Sequence, residues 1–139
     1  MEKQLMIGGN ALVALGSSRK TLDTDYLVNN TASKLPFLHD TQNNVDYINA
    51  NGHKFFAEVW KMEKNNIGPL ASPQALLELK AFAYVQNCVN RYFQKANNDE
   101  YDMQFLVRNF RLTGVKIVSK YVTEGQLSEI NKVINSVKV

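Results

Sequence analysis

The sequence predicts an α+β fold, in which a small mixed sheet with helices on one side precedes a helical C-terminal part. Short apolar runs suited to strands occur before residue 72, and longer helical patterns follow it. Ser72-Pro73 supplies an N-cap followed by proline at the first helical position. Because no shift in composition marks a boundary, the 139 residues are predicted to form one domain, with a sheet-containing core (1–71) and a helical part (72–139).

The predicted core contains three strands and two helices. The strands are QLMIG, TLDTDYLV and NVDYINA, and NALVAL is a short helix that Gly16 closes as a C-cap. HKFFAEVWKM is predicted to be helical because its large apolar residues recur at i, i+1, i+4 and i+5. NIGPLAS is predicted to be an extended link or an edge strand, since proline is excluded from central strands.

Four helices are predicted in the second half. The first runs from Pro73 through QALLELKAFAYVQNCVNRYFQKA to a loop at Asn97-Asn98. The second begins near Asp99 and includes YDMQFLVRNF, and VKIVSKYV and EGQLSEINKVINSV follow.

Composition points to a soluble cytoplasmic protein without a membrane span. Hydrophobic residues make up 45% of the chain and charged residues 21%, and no apolar run approaches the roughly 20 residues of a span. The start, MEKQLMIGGN, lacks the apolar segment of a signal peptide. The lone cysteine, Cys88, suits a reducing compartment and is predicted to be an inert core residue. A net charge of +3 permits contact with phosphates without demonstrating it.

Asp23 and Asp25 are separated by one residue within the second predicted strand. Alternate strand residues share a face, so the two carboxylates are expected to lie side by side and to repel. A bound Mg²⁺ removes that repulsion and takes oxygen ligands. A third carboxylate would allow two metals about 3.5–4 Å apart; Asp46, in NVDYI, is the best candidate and Glu58 the reserve.

A glycine pair between the first strand and the first helix suggests a phosphate site. Gly8 and Gly9 allow backbone N–H groups to approach an anion, and a helix N-terminus favours phosphate. The following loop, GSSRKT, adds hydroxyls and cations that could hold triphosphate oxygens: Ser17, Ser18, Arg19, Lys20 and Thr21.

These motifs resemble the nucleotidyltransferase superfamily that includes DNA polymerase β. IGGNALVALGSSRKTLDTDYLV is similar to small bacterial nucleotidyltransferase-like proteins, including abortive-infection (phage-defence) and toxin–antitoxin members, which carry Gly-Gly-x-Ala and then Arg-x-Thr-x-Asp-x-Asp. VDYI resembles the strand of the third carboxylate, ASPQALLELKAFA the segment of the family's lysine (Lys80), and NDEYDMQFL a downstream Asp-x-x-Asp element (Asp99 and Asp102). Members usually have a helix before the first strand, where this sequence has MEKQL, so part of the nucleotide pocket is expected to be missing or supplied by a partner.

The resemblance implies transfer of a nucleoside monophosphate from an NTP, such as ATP, to an acceptor hydroxyl, with release of pyrophosphate. Asp23, Asp25 and Asp46 would hold Mg²⁺ or Mn²⁺, and Asp46 would also assist deprotonation of the acceptor. Arg19 and Lys80 would neutralise phosphate charge. The acceptor would be a protein, an RNA such as tRNA, or a small molecule, and a toxin or antitoxin is a candidate protein partner.

Other interpretations stay open at this point. The chain is alternatively a catalytically inactive nucleotide-binding or protein-interaction module of the same fold, or an RNA-binding module. Asp23 and Asp25 would then be solvated acids, and Asp46 would begin a turn. Lys80 shares a helical stripe with Asn87 and Arg91, and such stripes are usually solvated surface. Asp99, Glu100 and Asp102 are predicted to cap a helix start.

Overall fold

The computed structural model describes residues 3–21 and 23–137. The chain forms two compact units, Met1–Ala75 and Leu76–Val139. Within the described residues there are five α-helices and a four-stranded mixed sheet, so the predicted α+β class is confirmed. None of the helices in those residues combines the length and apolarity that crossing a membrane requires.

The first unit holds the sheet. Its strands and helices are β1 (Leu5–Ile7), α1 (Gly8–Ala14), β2 (Thr24–Val28), β3 (Phe37–Asp40), β4 (Val45–Asn49) and α2 (Lys54–Met62). The strands lie in the order β1-β2-β4-β3, in which β2 and β4 are parallel and both outer pairs are antiparallel.

An extended segment lies along the outer edge of β1. The backbone N–H of Met6 donates to Pro69 O (2.7 Å), and that of Ala71 donates to Met6 O (3.1 Å). Leu70 and Met6 thereby form a parallel bridge. The edge position predicted for NIGPLAS is confirmed.

Two predictions for the sheet are wrong. The strand at Phe37–Asp40 was not predicted, because its sequence, FLHD, is short and contains no apolar run typical of a buried strand. The strand is indeed largely exposed, with Phe37 65% exposed. The second strand begins at Thr24, so Asp23 precedes it; Leu22, which the prediction included, lies outside the described residues.

A buried asparagine fixes the long connection between β2 and β3. Asn49 is fully buried, and its Nδ2 donates to the carbonyls of Ser33 (3.2 Å) and Leu35 (3.1 Å) and, at 3.3 Å, to that of Asn30. Its Oδ1 accepts from the backbone N–H of Asn30 (2.8 Å) and from that of Asn51 (3.2 Å). These bonds satisfy backbone groups that the irregular chain would otherwise leave without partners.

The helix predicted for HKFFAEVWKM is confirmed as α2. Phe55, Phe56 and Val59 are buried on one side of it, as the apolar spacing indicates. His53 caps the helix, because its Nδ1 accepts from the backbone N–H of Phe55 at 3.1 Å. The short helix closed by Gly16 is also confirmed, with Gly16 in the left-handed region (φ +110°) just beyond the end of α1.

Three longer helices account for most of the second half of the chain: α3 (Pro73–Val89), α4 (Phe93–Phe110) and α5 (Glu124–Asn135). The predicted cap of α3 is confirmed, since Ser72 Oγ accepts from the backbone N–H of Ala75 at 3.2 Å. The predicted α5 is also confirmed, and Thr123 and Gln126 form a capping box at its start.

The predicted break at Asn97-Asn98 is wrong. α3 ends at Val89, Arg91 has a left-handed backbone (φ +62°), and both asparagines lie inside α4. Asparagine costs only a few tenths of a kcal/mol in a helix, so tertiary contacts override it easily.

The prediction of a helix for VKIVSKYV is also wrong. Only a 3₁₀ turn forms, at Val118–Lys120. The buried carboxylate of Glu78 accepts from the backbone N–H groups of Lys116 (2.8 Å), Ile117 (3.0 Å) and Val118 (2.9 Å). A charged side chain from α3 therefore satisfies donors that a helix start leaves open.

Candidate functional site

Two of the three predicted metal-binding aspartates are neighbours across the sheet. Asp25 in β2 and Asp46 in β4 are direct partners in the parallel register of these strands. Side chains at partner positions leave a sheet on the same face. Leu27 lies on that face of β2 and is fully buried, so the carboxylate pair stands at one end of the apolar face.

The third aspartate lies outside the sheet. Asp23 is exposed, and its backbone N–H donates to Oγ1 of Thr21 at 3.3 Å. Across residues 3–21 and 23–137, no three His, Cys, Asp or Glu side chains are grouped so that they could hold a metal ion. A shared metal site of Asp23, Asp25 and Asp46 therefore stays a prediction, for which the register of Asp25 and Asp46 is the structural support.

Asp46 has a partner that no sequence pattern indicated. His39 in β3 is its register partner, and His39 Nδ1 lies 2.6 Å from Asp46 Oδ1. A carboxylate in its ionised form only accepts hydrogen bonds, so the contact is a hydrogen bond in the tautomer that carries the proton on Nδ1. Since 55% of the Asp46 side chain is exposed, the carboxylate remains open to solvent beside this bond.

The first glycine of the pair lies directly against Asp25. Gly8 has a φ of +69°, a backbone conformation that residues with a Cβ rarely adopt. A Cβ on Gly8 would also overlap the Asp25 carboxylate, with Oδ2 as its nearest atom. Gly8 therefore allows the turn after β1 to approach the carboxylate closely.

The second glycine is enclosed by two other predicted site residues. A Cβ on Gly9 would come within 2.5 Å of Nη1 of Arg19 and 2.8 Å of Oγ1 of Thr21. The predicted Arg-x-Thr motif thus packs on the second glycine of the pair. Gly8, Gly9, Arg19, Thr21 and Asp25 occupy one corner of the first unit.

A cavity of about 600 Å³ opens beside this corner. Its lining residues are Asn10, Val13, Arg19, Lys20 and Thr21. The cavity therefore combines two cations with hydroxyl and amide groups, the donors that phosphate oxygens accept from.

Three polar side chains lie in or near the loop and helix that form the cavity. Asn10 Nδ2 donates to Thr24 Oγ1 at 3.0 Å, linking α1 to the start of β2. Ser17 is buried, and its Oγ accepts from the backbone N–H of Arg19 at 3.1 Å, so this predicted phosphate ligand shapes the loop. Ser18 is exposed in the same loop.

Lys80 belongs to a buried polar cluster in the second unit. Lys80 Nζ lies 3.0 Å from Asp102 Oδ2 and 3.8 Å from Asp99 Oδ1. Asn87 Nδ2 donates to Asp99 Oδ2 at 2.6 Å. The interpretation of the stripe as solvated surface is wrong for Lys80, whose side chain is only 14% exposed because α4 covers it.

Predictions for four nearby residues are also corrected. Asp99, Glu100 and Asp102 do not cap a helix start, because they lie inside α4. Asp99 and Asp102 are buried and have Lys80 as an ionic partner. Cys88 is exposed at the end of α3 and is not a core residue. The sequence analysis did not predict this cluster because it placed a helix boundary at Asn97-Asn98. Asp99 and Asp102 were therefore assigned to a helix start and not to the interior of α4.

Two residues of the candidate site had no usable sequence signal. His39 was missed because β3 itself was missed, so its register with Asp46 was not foreseeable. Asn10 directly follows the glycine pair, where an amide carries no distinctive pattern. Comparisons of the chain with protein-family models, curated proteins and solved structures find no match.

Proposed function

We propose that the chain is a metal-dependent nucleotidyltransferase that moves a nucleoside monophosphate from an NTP to an acceptor hydroxyl. The observation that carries the proposal is the register of Asp25 with Asp46 beside the Gly8-Gly9 turn. A divalent cation held between two carboxylates on one sheet face would offset their mutual repulsion, in addition to the contact that His39 makes with Asp46. The glycine turn beside the pair also contacts Arg19 and Thr21, which line the cavity.

The cavity is the proposed site of the triphosphate. Arg19 and Lys20 supply positive charge, and Thr21 supplies a hydroxyl. Arg19 is the stronger candidate of the two cations, because its guanidinium lies against Gly9 and is held at the corner shared with Asp25. A planar guanidinium can donate two parallel hydrogen bonds to a phosphate.

The donor chemistry fits Mg²⁺ or Mn²⁺. Mg²⁺ is commonly held by one or two carboxylates, with substrate phosphate oxygens and waters completing its shell. In the proposal Asp25 and Asp46 supply these carboxylates, and Asp23 is a further donor two residues before Asp25. When bound, the metal would neutralise phosphate charge and lower the pKa of an attacking hydroxyl.

The residues of the chain have separate roles in the proposed reaction. The acceptor oxygen attacks the α-phosphorus, the bond from that phosphorus to the bridging oxygen breaks, and pyrophosphate leaves with the bond electrons. Asp46 accepts the hydroxyl proton, and the contact of His39 Nδ1 with Asp46 Oδ1 helps to fix the position of that carboxylate. Arg19 offsets the charge that develops on the leaving pyrophosphate.

The direct test is pyrophosphate release from a mixture of the four NTPs with Mg²⁺ or Mn²⁺. Protein, total RNA and small hydroxyl compounds are supplied separately as acceptors. Wild type is expected to release pyrophosphate with at least one acceptor, and Asp25→Asn with Asp46→Asn is expected to reduce the rate about 100-fold or more. Release that the double substitution leaves unchanged would contradict the proposal.

The second candidate is a nucleotide-binding module without catalysis. The absence, in the described residues, of a ready group of three metal-binding side chains favours it. Calorimetry with a non-hydrolysable NTP separates the two candidates. Metal-dependent binding in a protein that releases no pyrophosphate with any acceptor supports the module, whereas binding together with release supports the enzyme.

A further inference from the structure

The turn between α3 and α4 exposes a run of apolar side chains. The exposed fractions are 61% for Val89, 54% for Tyr92 and 61% for Phe93. Isolated exposed apolar residues are ordinary, but adjacent large ones indicate a contact surface. We call residues 89–95 the aromatic turn.

The aromatic turn is also basic. Arg91 and Lys95 are exposed, and residues 86–98 contain no aspartate or glutamate. Lys95 Nζ lies 5.2 Å from the centroid of the Tyr92 ring, so one cation already sits against an aromatic face. The turn itself therefore carries positive charge that complements a polyanion, and Glu129 of α5 lines a pocket with Cys88 and Val89 on its α3 side.

The backbone of the aromatic turn is fixed by its own hydrogen bonds. The N–H of Tyr92 donates to Asn87 O at 2.8 Å, and the N–H of Arg91 donates to Cys88 O at 3.2 Å. Arg91 adopts a left-handed conformation (φ +62°). The two rings are thus presented from a defined turn between two helices, which lowers the ordering cost of binding.

We propose that the aromatic turn binds single-stranded nucleic acid. Unpaired bases stack on the exposed rings of Tyr92 and Phe93, and Arg91 and Lys95 contact the phosphates. Stacking on aromatic side chains combined with cationic contacts is the usual basis of single-strand binding. Exposed amides on the first turns of α4 are available to base edges: Gln94, Asn97 and Asn98.

Other polyanions fit this surface less well. An acidic polypeptide satisfies the two cations but brings no planar bases for the rings. A duplex satisfies the cations and keeps its bases stacked internally. The inference is independent of the proposed transferase activity, because a catalytically inactive domain could bind a strand in the same way.

Fluorescence anisotropy with the full chain tests the inference. The probe is a labelled mixed-sequence RNA strand of roughly 12 nucleotides, and the matching DNA strand and duplex are compared with it. Tyr92→Ala and Phe93→Ala are each expected to raise Kd about tenfold. Ile67→Ala, which removes an apolar side chain that is 95% exposed in the first unit, is the matched control and should leave Kd unchanged.

Salt dependence tests the two cations separately. Arg91→Asn with Lys95→Gln should reduce the slope of log K against log salt by about 1.4, because each single-strand phosphate contact contributes about 0.7. Asparagine is chosen at position 91 since it tolerates the left-handed backbone. Lys64→Gln with Lys116→Gln removes the same charge at exposed positions elsewhere and should leave the slope unchanged.

Binding of either single strand with these losses supports the proposal. Equal affinity for the duplex, or polyglutamate binding that depends equally on both rings, would overturn it. Tyr92→Leu keeps an apolar side chain and removes the aromatic ring, so it tests base stacking on Tyr92 if Tyr92→Ala unfolds. Unchanged RNA affinity in folded Tyr92→Leu would also overturn the proposal.

Discussion

Asp25 and Asp46 face the same side of the sheet because they are register partners in the parallel pair β2 and β4. Each carboxylate has a different neighbour: Asp25 lies against Gly8, and Asp46 accepts a hydrogen bond from His39. The pair is therefore asymmetric. One acid lies against the glycine turn, and the other contacts a histidine of an edge strand.

Gly8→Ala is predicted to destabilise the protein by about 2 kcal/mol. The substitution places a Cβ at a φ of +69° and against the Asp25 carboxylate. Urea denaturation measures the change. Gly114→Ala is the matched control, since its added Cβ meets no atom within 4 Å, and a loss as large as that of Gly8→Ala would contradict the account.

Asn49→Asp is predicted to destabilise the protein by about 3 kcal/mol. It replaces the Nδ2 that donates to backbone carbonyls with an oxygen that repels them, at a fully buried position. Thermal and urea unfolding check the value. The same substitution at exposed Asn65 should change stability by less than about 0.5 kcal/mol, and equal effects at the two positions would refute the role of Asn49.

Lys80 and Asp102 are predicted to be strongly coupled. Asp102 is fully buried, so Lys80→Met removes the cation 3.0 Å from its carboxylate, and Asp102→Leu leaves Lys80 only the longer 3.8 Å contact with Asp99. Lys80→Met and Asp102→Leu should each cost about 3 kcal/mol or more, while the double variant costs much less than their sum. Additive losses in this double-mutant cycle would show that the contact is energetically neutral.

Tyr84 is predicted to make stability fall at high pH. Burial raises the pKa of Tyr84 from 10.0 to about 12, and the neighbouring Cys88 and Glu100 add to the shift. Between these values the unfolded chain has released the proton and the folded protein still holds it, so stability decreases as pH rises.

Tyr84→Phe isolates this contribution. Wild type should lose more stability than the variant between pH 10 and about 12, as followed by urea denaturation at each pH. Parallel curves for the two proteins would be inconsistent with the raised pKa.

Local sequence patterns predicted the elements whose signals are local. Ser72-Pro73 marks the start of α3, and the spacing of Phe55, Phe56 and Val59 marks α2, because caps and apolar periodicity act within a few residues. The acid pair on one sheet face was only partly foreseeable. Asp46 was identified as an acid in a strand, but its exact register with Asp25 depends on the sheet order.

The remaining features depend on contacts between distant positions. Glu78 satisfies backbone donors at Lys116 to Val118 and so replaces the predicted helix there with a 3₁₀ turn. Lys80 is buried because α4 continues through Asn97-Asn98 and brings Asp102 to it. Neither outcome follows from propensity, which tertiary contacts override.

Transfer of radiolabel from an α-labelled NTP to an acceptor tests the central claim most directly. We expect metal-dependent transfer by wild type, a loss of about 100-fold or more in Asp25→Asn, and near-normal transfer in the control Glu124→Gln, which changes an exposed acid at the start of α5. Circular dichroism establishes that each variant is folded. Transfer by folded Asp25→Asn at the wild-type rate, or no transfer by wild type to any acceptor, would contradict the claim.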